Sequence, residues 1–471
     1  MVFSSFTFLF IFLPVLLVLY FAASPKYRNI LLLLASILFY GFSDLGCLYL
    51  LFAIVIINFL SGILISEYKN FKKFLFILTL LINVGALVYF KYFNFLFNTY
   101  LGITHTNMHF SKVLLPLGIS FYIFQALSYL IDVYNNKIAP QKNIYKFALY
   151  ICFFPQLVAG PIIKYKDIQA QLESKFRENN FDNLCIGAKR FIIGLSKKVL
   201  IANNIGLIAD KIFVQSPDMF PVSVAWLGAI AYTLQIFFDF SGYSDMAIGL
   251  GRIFGFKFME NFNYPFISRS INEFWRRWHI SLYTWFRDYV YISLGGNRCG
   301  FARTLFNLLF VFTLTGIWHG ANWTFLVWGI WHGVFIVFER IISTKNSASK
   351  LNFGFVKFMQ HVYLLLVVVL GFVIFRSENL SYAFKYLQNM FGLLTLNPDK
   401  FAYNIYYYID SMDILILGAA ILISTPLFKN MIYVKGHLKK SFINIWLIML
   451  FILSVVFIAI NSYNPFIYFR F

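Results

Sequence analysis

The sequence predicts an all-α, polytopic membrane protein, and three observations carry that reading. The chain of 471 residues is 60% hydrophobic and only 12% charged, whereas soluble domains carry about 25% charged residues. Several apolar runs of about 18 residues or more lack any charge, which is the length a helix needs to cross a bilayer core. The net charge of +20 gathers in short loops between those runs, as the positive-inside bias of membrane proteins places it. The mean hydropathy is +0.73. No soluble basic domain is available to bind nucleic acid, so membrane lipid is the expected partner and nucleic acid is not. Cys47, Cys152, Cys185 and Cys299 have no paired spacing, and predict neither a disulfide framework nor a metal site.

Apolar runs near 6–23, 29–43, 48–66 and 74–90 form the first spans. The first lacks a basic n-region and reads as a span rather than a cleaved signal. Lys26 and Arg28 follow the first run, Asp44 follows the second, and Lys69, Lys72 and Lys73 follow the third. Alternate loops are therefore basic, which puts the N-terminus outside and Lys26, Lys69, Lys142, Arg277 and Lys435 on the cytoplasmic side. His105 and His109 stand at i,i+4 spacing in the next outer loop, with no third ligand near them. The run 113–134 is loosened by Pro116 and Gly118. Residues 151–163, ICFFPQLVAGPII, are too short and too broken by Pro155, Gly160 and Pro161 to span. Basic flanks on both sides suit a re-entrant segment whose backbone is buried in protein.

A charged amphipathic linker at 166–190 leads into a basic-ended helix (Lys189, Arg190, Lys197, Lys198) that runs to an outer loop at 215–221. The run 222–250 contains Asp239 and Asp245, and carboxylates at that depth are functional candidates. The preferred alternative is that they pair with arginines of the 269–287 segment and fix the bundle. Residues 304–338 hold no Asp, Glu, Lys or Arg over 35 positions. As one helix they would reach about 52 Å against a core of about 30 Å, so the run must tilt, fold back or break. The break is expected at Gly320-Ala321-Asn322, immediately after Trp318-His319. Helices at 359–375, 412–428 and 442–461 complete about 10–12 transmembrane or re-entrant elements. Residues 1–471 read as a single integral-membrane domain.

The stretch 262–298, FNYPFISRSINEFWRRWHISLYTWFRDYVYISLGGNR, is a polar island in this apolar chain. As one helix over 271–289, it puts Ile271, Phe274, Trp275, Trp278, Leu282, Trp285, Phe286 and Tyr289 on one stripe at about 100° per residue. Arg276, Arg277 and Arg287 fall outside the stripe and His279 at its edge. An interfacial anchor fits this pattern, with rings at headgroup depth and guanidinium groups in water. An anion- or thioester-binding surface fits it as well, because guanidinium pairs with phosphate or carboxylate.

His319 lies about 22 Å along a helix from Thr304, inside the membrane. A neutral imidazole there suits general-base activation of a hydroxyl. Trp318 and Asn322 flank it as candidate substrate-binding residues. A second WHG triplet contains His332, about 220° around a continuous helix from His319, so the two share no face unless the helix breaks. No GxSxG, HExxH, P-loop or GxGxxG pattern is present, which removes support from serine hydrolase, zinc protease and nucleotide chemistry. Acyl transfer within the membrane and a proton relay through His319, Asp239 and Asp245 both stay open.

The stretches PLGISFYIFQALSYLIDVY, FFPQLVAGPI, LQIFFDFSGYSDMAIGLGRIFGF, NYPFISRSINEFWRRWHISLYTWFRDYVYISLGGNR and GIWHGANWTFLVWGIWHG resemble the membrane-bound O-acyltransferase superfamily. They are most similar to its bacterial branch, which O-acetylates alginate or peptidoglycan or D-alanylates teichoic acids. The likeness runs in chain order over 113–340. It implies that His319 and His279 are the two family histidines and that the helices ring a central tunnel. It further implies a multi-pass protein of the bacterial cytoplasmic (inner) membrane, with acyl donor entering from the cytoplasm and acyl groups emerging outside. The expected donor is acetyl-CoA or another acyl thioester, with no tightly bound cofactor and no metal. A soluble or anchored extracytoplasmic acetyltransferase is the expected partner and a polysaccharide the acceptor. Richness in Phe, Ile, Lys, Asn and Tyr points to an AT-rich genome and inclines the acceptor towards peptidoglycan. A transporter of an acyl carrier or small anion is the competing function, and a non-catalytic scaffold a third.

Overall fold

In lipid, a chain must satisfy its own peptide groups, and helices do so within one segment. A computed structural model of the chain describes residues 1–106, 108, 110–173, 177–345, 354–395, 403–428, 437–460, 463 and 467. Among these the protein is all-α. Among the described residues, eight helices are long and apolar enough to cross a membrane: Leu45–Glu67, Lys69–Thr104, Phe181–Phe213, Val222–Ile253, Phe301–His319, Trp323–Ser343, Gly354–Arg376 and Ser441–Ile460. Thr7–Ala22, Arg28–Gly41, Ile119–Tyr134 and Ser411–Ile423 are shorter apolar helices. The protein is a multi-pass membrane protein. His109 and Lys435 lie outside the described residues.

The described residues gather into two compact units, one built from Met1–Ile192 and Tyr243–Glu260, the other from Ile193–Gly242 and Asn261–Phe471. In the first, Asn58 and Asn83 exchange side-chain amide hydrogen bonds of 3.0 Å each and join Leu45–Glu67 to Lys69–Thr104, the kind of polar contact that holds helices together in lipid. The helix expected over 113–134 begins only at Ile119. Gly118 has φ +72°, and a Cβ there would lie 2.6 Å from the Leu157 carbonyl oxygen, so glycine is required at this turn. The broken segment after Ile144–Cys152 is buried in protein. Its backbone is met by side chains: Ser36 Oγ accepts from Phe154 N at 3.1 Å, and Tyr150 OH donates to Ile163 O at 3.0 Å.

Asp239 and Asp245 are both ion-paired, but not with arginines of the 269–287 segment. Within the first unit, Arg190 Nη2 lies 2.8 Å from Asp245 and also pairs with Glu260. Within the second, Lys198 Nζ lies 2.6 Å from Asp239, with both side chains almost fully buried. Lys198 sits in a π-helical turn, Lys197–Ala202, inside its span. The pairing expectation holds, while its partners are corrected: Arg277 engages Glu273 and Arg287 engages Asp288.

The second unit also contains the long uncharged run, which breaks where expected. Phe301–His319 ends at His319, Gly320 is extended, and the chain re-enters helix at Trp323. The two helices fold back on each other through glycines. A Cβ on Gly316 would lie 2.4 Å from Phe325 O and 2.9 Å from Gly329 Cα, and one on Gly329 would lie 2.5 Å from Phe312 O. Small residues at such crossings let backbones approach closely.

Candidate active site

The hairpin turn fixes His319. The imidazole, 3% exposed, is the last residue of its helix and is packed edge-on by three aromatic rings. Trp318 and Trp328 have centroids 4.9 Å from it and Phe375 5.2 Å. Asn322 shapes the turn beyond it: its Oδ1 accepts from Thr324 N at 3.1 Å and its Nδ2 donates to Glu378 O at 2.9 Å. Gly320 lets the turn pack tightly on Phe325, since a Cβ there would drive into that ring at 2.2 Å.

His279 does not lie on one helix spanning 271–289. The segment is two short helices, Ile271–Arg277 and Ile280–Phe286, and His279 joins them at φ +45°, in the left-handed region. A non-glycine residue there is held against a cost of about 1–3 kcal/mol by its surroundings, and such strain gathers at functional sites. The surroundings are identifiable. Ile280 N donates to Asn261 O at 2.9 Å and Asn263 N to Arg277 O at 2.9 Å. Asn261 Oδ1 accepts from Ser281 N at 3.2 Å and Ser281 Oγ at 2.9 Å, and lies 3.1 Å from His279 Nδ1.

This network fixes the tautomer of His279. The backbone N–H of Ser281 can donate only to an oxygen, so the Asn261 atom facing His279 is its carbonyl oxygen. His279 Nδ1 therefore carries the proton and donates it, which leaves the lone pair on Nε2. Burial pushes the imidazole down to about 3 from its ordinary value near 6.5, because a charged ring is poorly solvated there. The ring is therefore neutral, and a base this weak suits a supporting role better than proton abstraction. Phe240 packs edge-on at 4.6 Å.

Trp318 touches both histidines, with its ring centroid 6.1 Å from His279 and 4.9 Å from His319. The structure thus brings together His279, Trp318 and His319. It does not bring the arginines with them. Arg276 is exposed; Arg277 pairs with Glu273 at 2.9 Å and donates to Asn263 O at 3.2 Å; Arg287 is exposed beside Asp288 at 2.8 Å. His332 lies closer to the cluster than expected: its ring is 5.1 Å from Trp275 and 5.1 Å from Trp328, which also packs on His319. His361 has its own partner, donating from Nδ1 to Ser268 O at 3.0 Å. Asn261, Ser281, Trp328 and Phe375 escaped the sequence reading. Of these only Asn261, a polar residue set between the aromatic-rich FGFKFME and FNYP stretches, offers a signal. Among the described residues, no three His, Cys, Asp or Glu side chains gather as a metal site.

The profile of the membrane-bound O-acyltransferase family matches residues 141–382. The chain is 45% identical over 404 residues to a protein of Pseudomonas aeruginosa named "Probable alginate O-acetylase", covering 84% of this chain and 76% of that one. It is 39% identical to the Pseudomonas putida protein of the same name over the full length of both. It is 32% identical to the peptidoglycan O-acetyltransferase of Helicobacter pylori, covering 100% of this chain and 98% of that one. The two histidines, the tryptophan between them and the glycine-packed hairpin all fall within the matched region, and the chain belongs to the membrane-bound O-acyltransferase family.

Proposed function

We propose that this membrane O-acyltransferase takes an acetyl group from a cytoplasmic thioester, acetyl-CoA or a similar donor, and passes it across the membrane for O-acetylation of an extracytoplasmic polysaccharide. His319 is the principal catalytic residue and His279 supports it from the cytoplasmic side. The observation that carries this reading is the packing of Trp318 against both imidazoles. Aromatic walls exclude water and so limit wasteful hydrolysis of a thioester. Polysaccharide acceptors in the names of the relatives, alginate and peptidoglycan, support the acceptor class. The alternation of basic loops supports entry of the donor from the cytoplasm and a site in the bacterial inner membrane. A separate extracytoplasmic acetyltransferase completes the transfer.

Arg276, Arg277 and Arg287 hold the anionic donor at the cytoplasmic mouth, and Trp318 and Asn322 line the path beside His319. The test is purified protein in liposomes supplied with acetyl-CoA. Hydrolysis of the donor or exchange of its acetyl group, lost in His319→Ala, supports the reading. Translocation of donor with neither reaction would make the protein a carrier instead.

A further inference from the structure

The first unit carries two cations at one corner, gathered around a tyrosine. Arg177, in the linker ahead of Phe181–Phe213, is 6% exposed. Its Nη1 donates to Tyr20 OH at 3.4 Å and its Nη2 donates to Asn29 Oδ1. Its Nε is buried and has no partner in the protein. The guanidinium lies over the Phe256 ring at 4.6 Å. Arg28, half-buried, lies over the Tyr20 ring at 5.1 Å and donates from Nε to Ala23 O at 3.2 Å. Tyr20, fully buried, therefore has one guanidinium on its ring and another at its hydroxyl.

Among the described residues, no carboxylate pairs with either arginine. Glu173 is taken by Lys146, and Glu178 by Lys257 at 2.8 Å. Burial draws Arg177 below the ordinary arginine range; Tyr20 opposes this and Arg28 adds to it. Desolvating a cation alone is costly, so buried charges are normally paired. Tyr20 and Asn29 accept hydrogen bonds from Arg177 without cancelling its charge. What this corner lacks is an anion. The loop 23–28 joins two apolar helices, Thr7–Ala22 and Arg28–Gly41, and so lies at the depth of lipid headgroups. Lys26 and Tyr27 are both exposed there, with Lys26 Nζ over the Tyr27 ring at 5.7 Å, a pairing suited to the membrane interface. On the sidedness given by the basic loops this is the cytoplasmic face, where anionic lipids and basic segments attract one another.

We infer that this corner binds the phosphate of an anionic lipid, gripped by Arg28 with Lys26 beside it, and that the bound phosphate offsets the buried charge of Arg177. Guanidinium suits the task because it holds phosphate through paired N–H bonds. The site lies outside the proposed acetyl transfer and does not depend on it. The same phosphate chemistry has two other sources, inorganic phosphate and coenzyme A, and the test separates them.

The experiment follows thermal unfolding of full-length protein in a neutral detergent. Phosphatidylglycerol, phosphatidylcholine, inorganic phosphate or coenzyme A is added at constant ionic strength. A ligand that binds the folded state raises the unfolding midpoint, and the titration gives an apparent affinity. Phosphatidylglycerol should raise the midpoint, and the other three should do so far less. Arg28→Gln should weaken the apparent affinity for phosphatidylglycerol about five- to tenfold, and Lys26→Gln about fivefold. Arg177→Gln should shrink the response too, because the charge to be offset is gone. Should that variant fail to fold, Arg28→Gln still decides the matter. Arg303→Gln, an exposed arginine of the other unit, should respond as wild type. An unchanged response in Arg28→Gln, or an equal loss in Arg303→Gln, overturns the site. A midpoint shift in wild type as large with any of the other three compounds overturns the anionic lipid as its occupant.

Discussion

Gly316 and Gly329 face each other across the hairpin so closely that a Cβ on either would lie 2.9 Å from the other's Cα. The crossing sets how Phe301–His319 lies against Trp323–Lys345, and therefore where His319 ends up. Gly316→Ala and Gly329→Ala should each lower thermal stability in detergent by about 1–3 kcal/mol, the usual range for overpacking. Gly46→Ala, where nothing lies within 4 Å of the new Cβ, is the matched control. Alanine at both crossing positions without loss of stability would mean that the hairpin repacks freely.

His319→Ala and His319→Gln should insert normally and abolish acetylation of the polysaccharide, a loss of about 10² to 10⁴ in rate for a general base. His279→Ala should also impair it, less completely. His361→Ala should retain activity, because its ring is held by Ser268 O. His332→Ala should retain activity too, with at most a modest loss through Trp328, which packs against both His332 and His319. The measurement is polysaccharide acetate in cells with matched membrane abundance. Near-normal acetylation by His319→Ala would leave this histidine as a packing residue.

The spans were legible because an uncharged apolar run of the right length has no other stable form in lipid. The break at Gly320 was legible because its run was too long for one crossing. The turn at His279 was not. No glycine or proline marks it, and the apolar spacing on either side continues as if the helix did. What bends the chain there is Asn261, well upstream, whose side chain and carbonyl take the hydrogen bonds a helix would have used. The partners of Asp239 and Asp245 were hidden for a related reason: sequence shows which residues are charged, but not which helices become neighbours.

The buried, neutral His279 makes stability depend on pH. Its folded-state pKa is about 3, against roughly 6.5 for the unfolded chain. Between those values the unfolded chain binds more protons, so the stabilisation present above pH 6.5 is lost as pH falls towards 3. Between pH 7 and pH 5 the loss should be on the order of 2 kcal/mol. His279→Gln removes this titrating group and should make that part of the profile less steep. Thermal unfolding in detergent checks it, and parallel curves for the two proteins would refute the assignment.

Replacing Arg276, Arg277 or Arg287 by lysine keeps the charge and removes the planar fork that grips phosphate or carboxylate in two places. Each variant should fold and show a raised KM for acetyl-CoA. Arg277→Lys should also loosen its bonds to Glu273 and Asn263. Wild-type KM in all three would make these residues surface anchors.

The buried pair of Lys198 and Asp239 predicts that the two helices depend on each other for entry into the membrane. Phe181–Phe213 is made first, and its lysine alone is costly in hydrocarbon. The expected consequence is that Phe181–Phe213 enters lipid stably only once Asp239 of Val222–Ile253 can neutralise it. Lys198→Met or Asp239→Asn alone should therefore cut the amount of protein reaching the membrane, and the double variant should restore much of it. If the double variant is no better than either single one, the two helices enter independently. The pair would then be a birth requirement of the protein as much as a tie in its finished form.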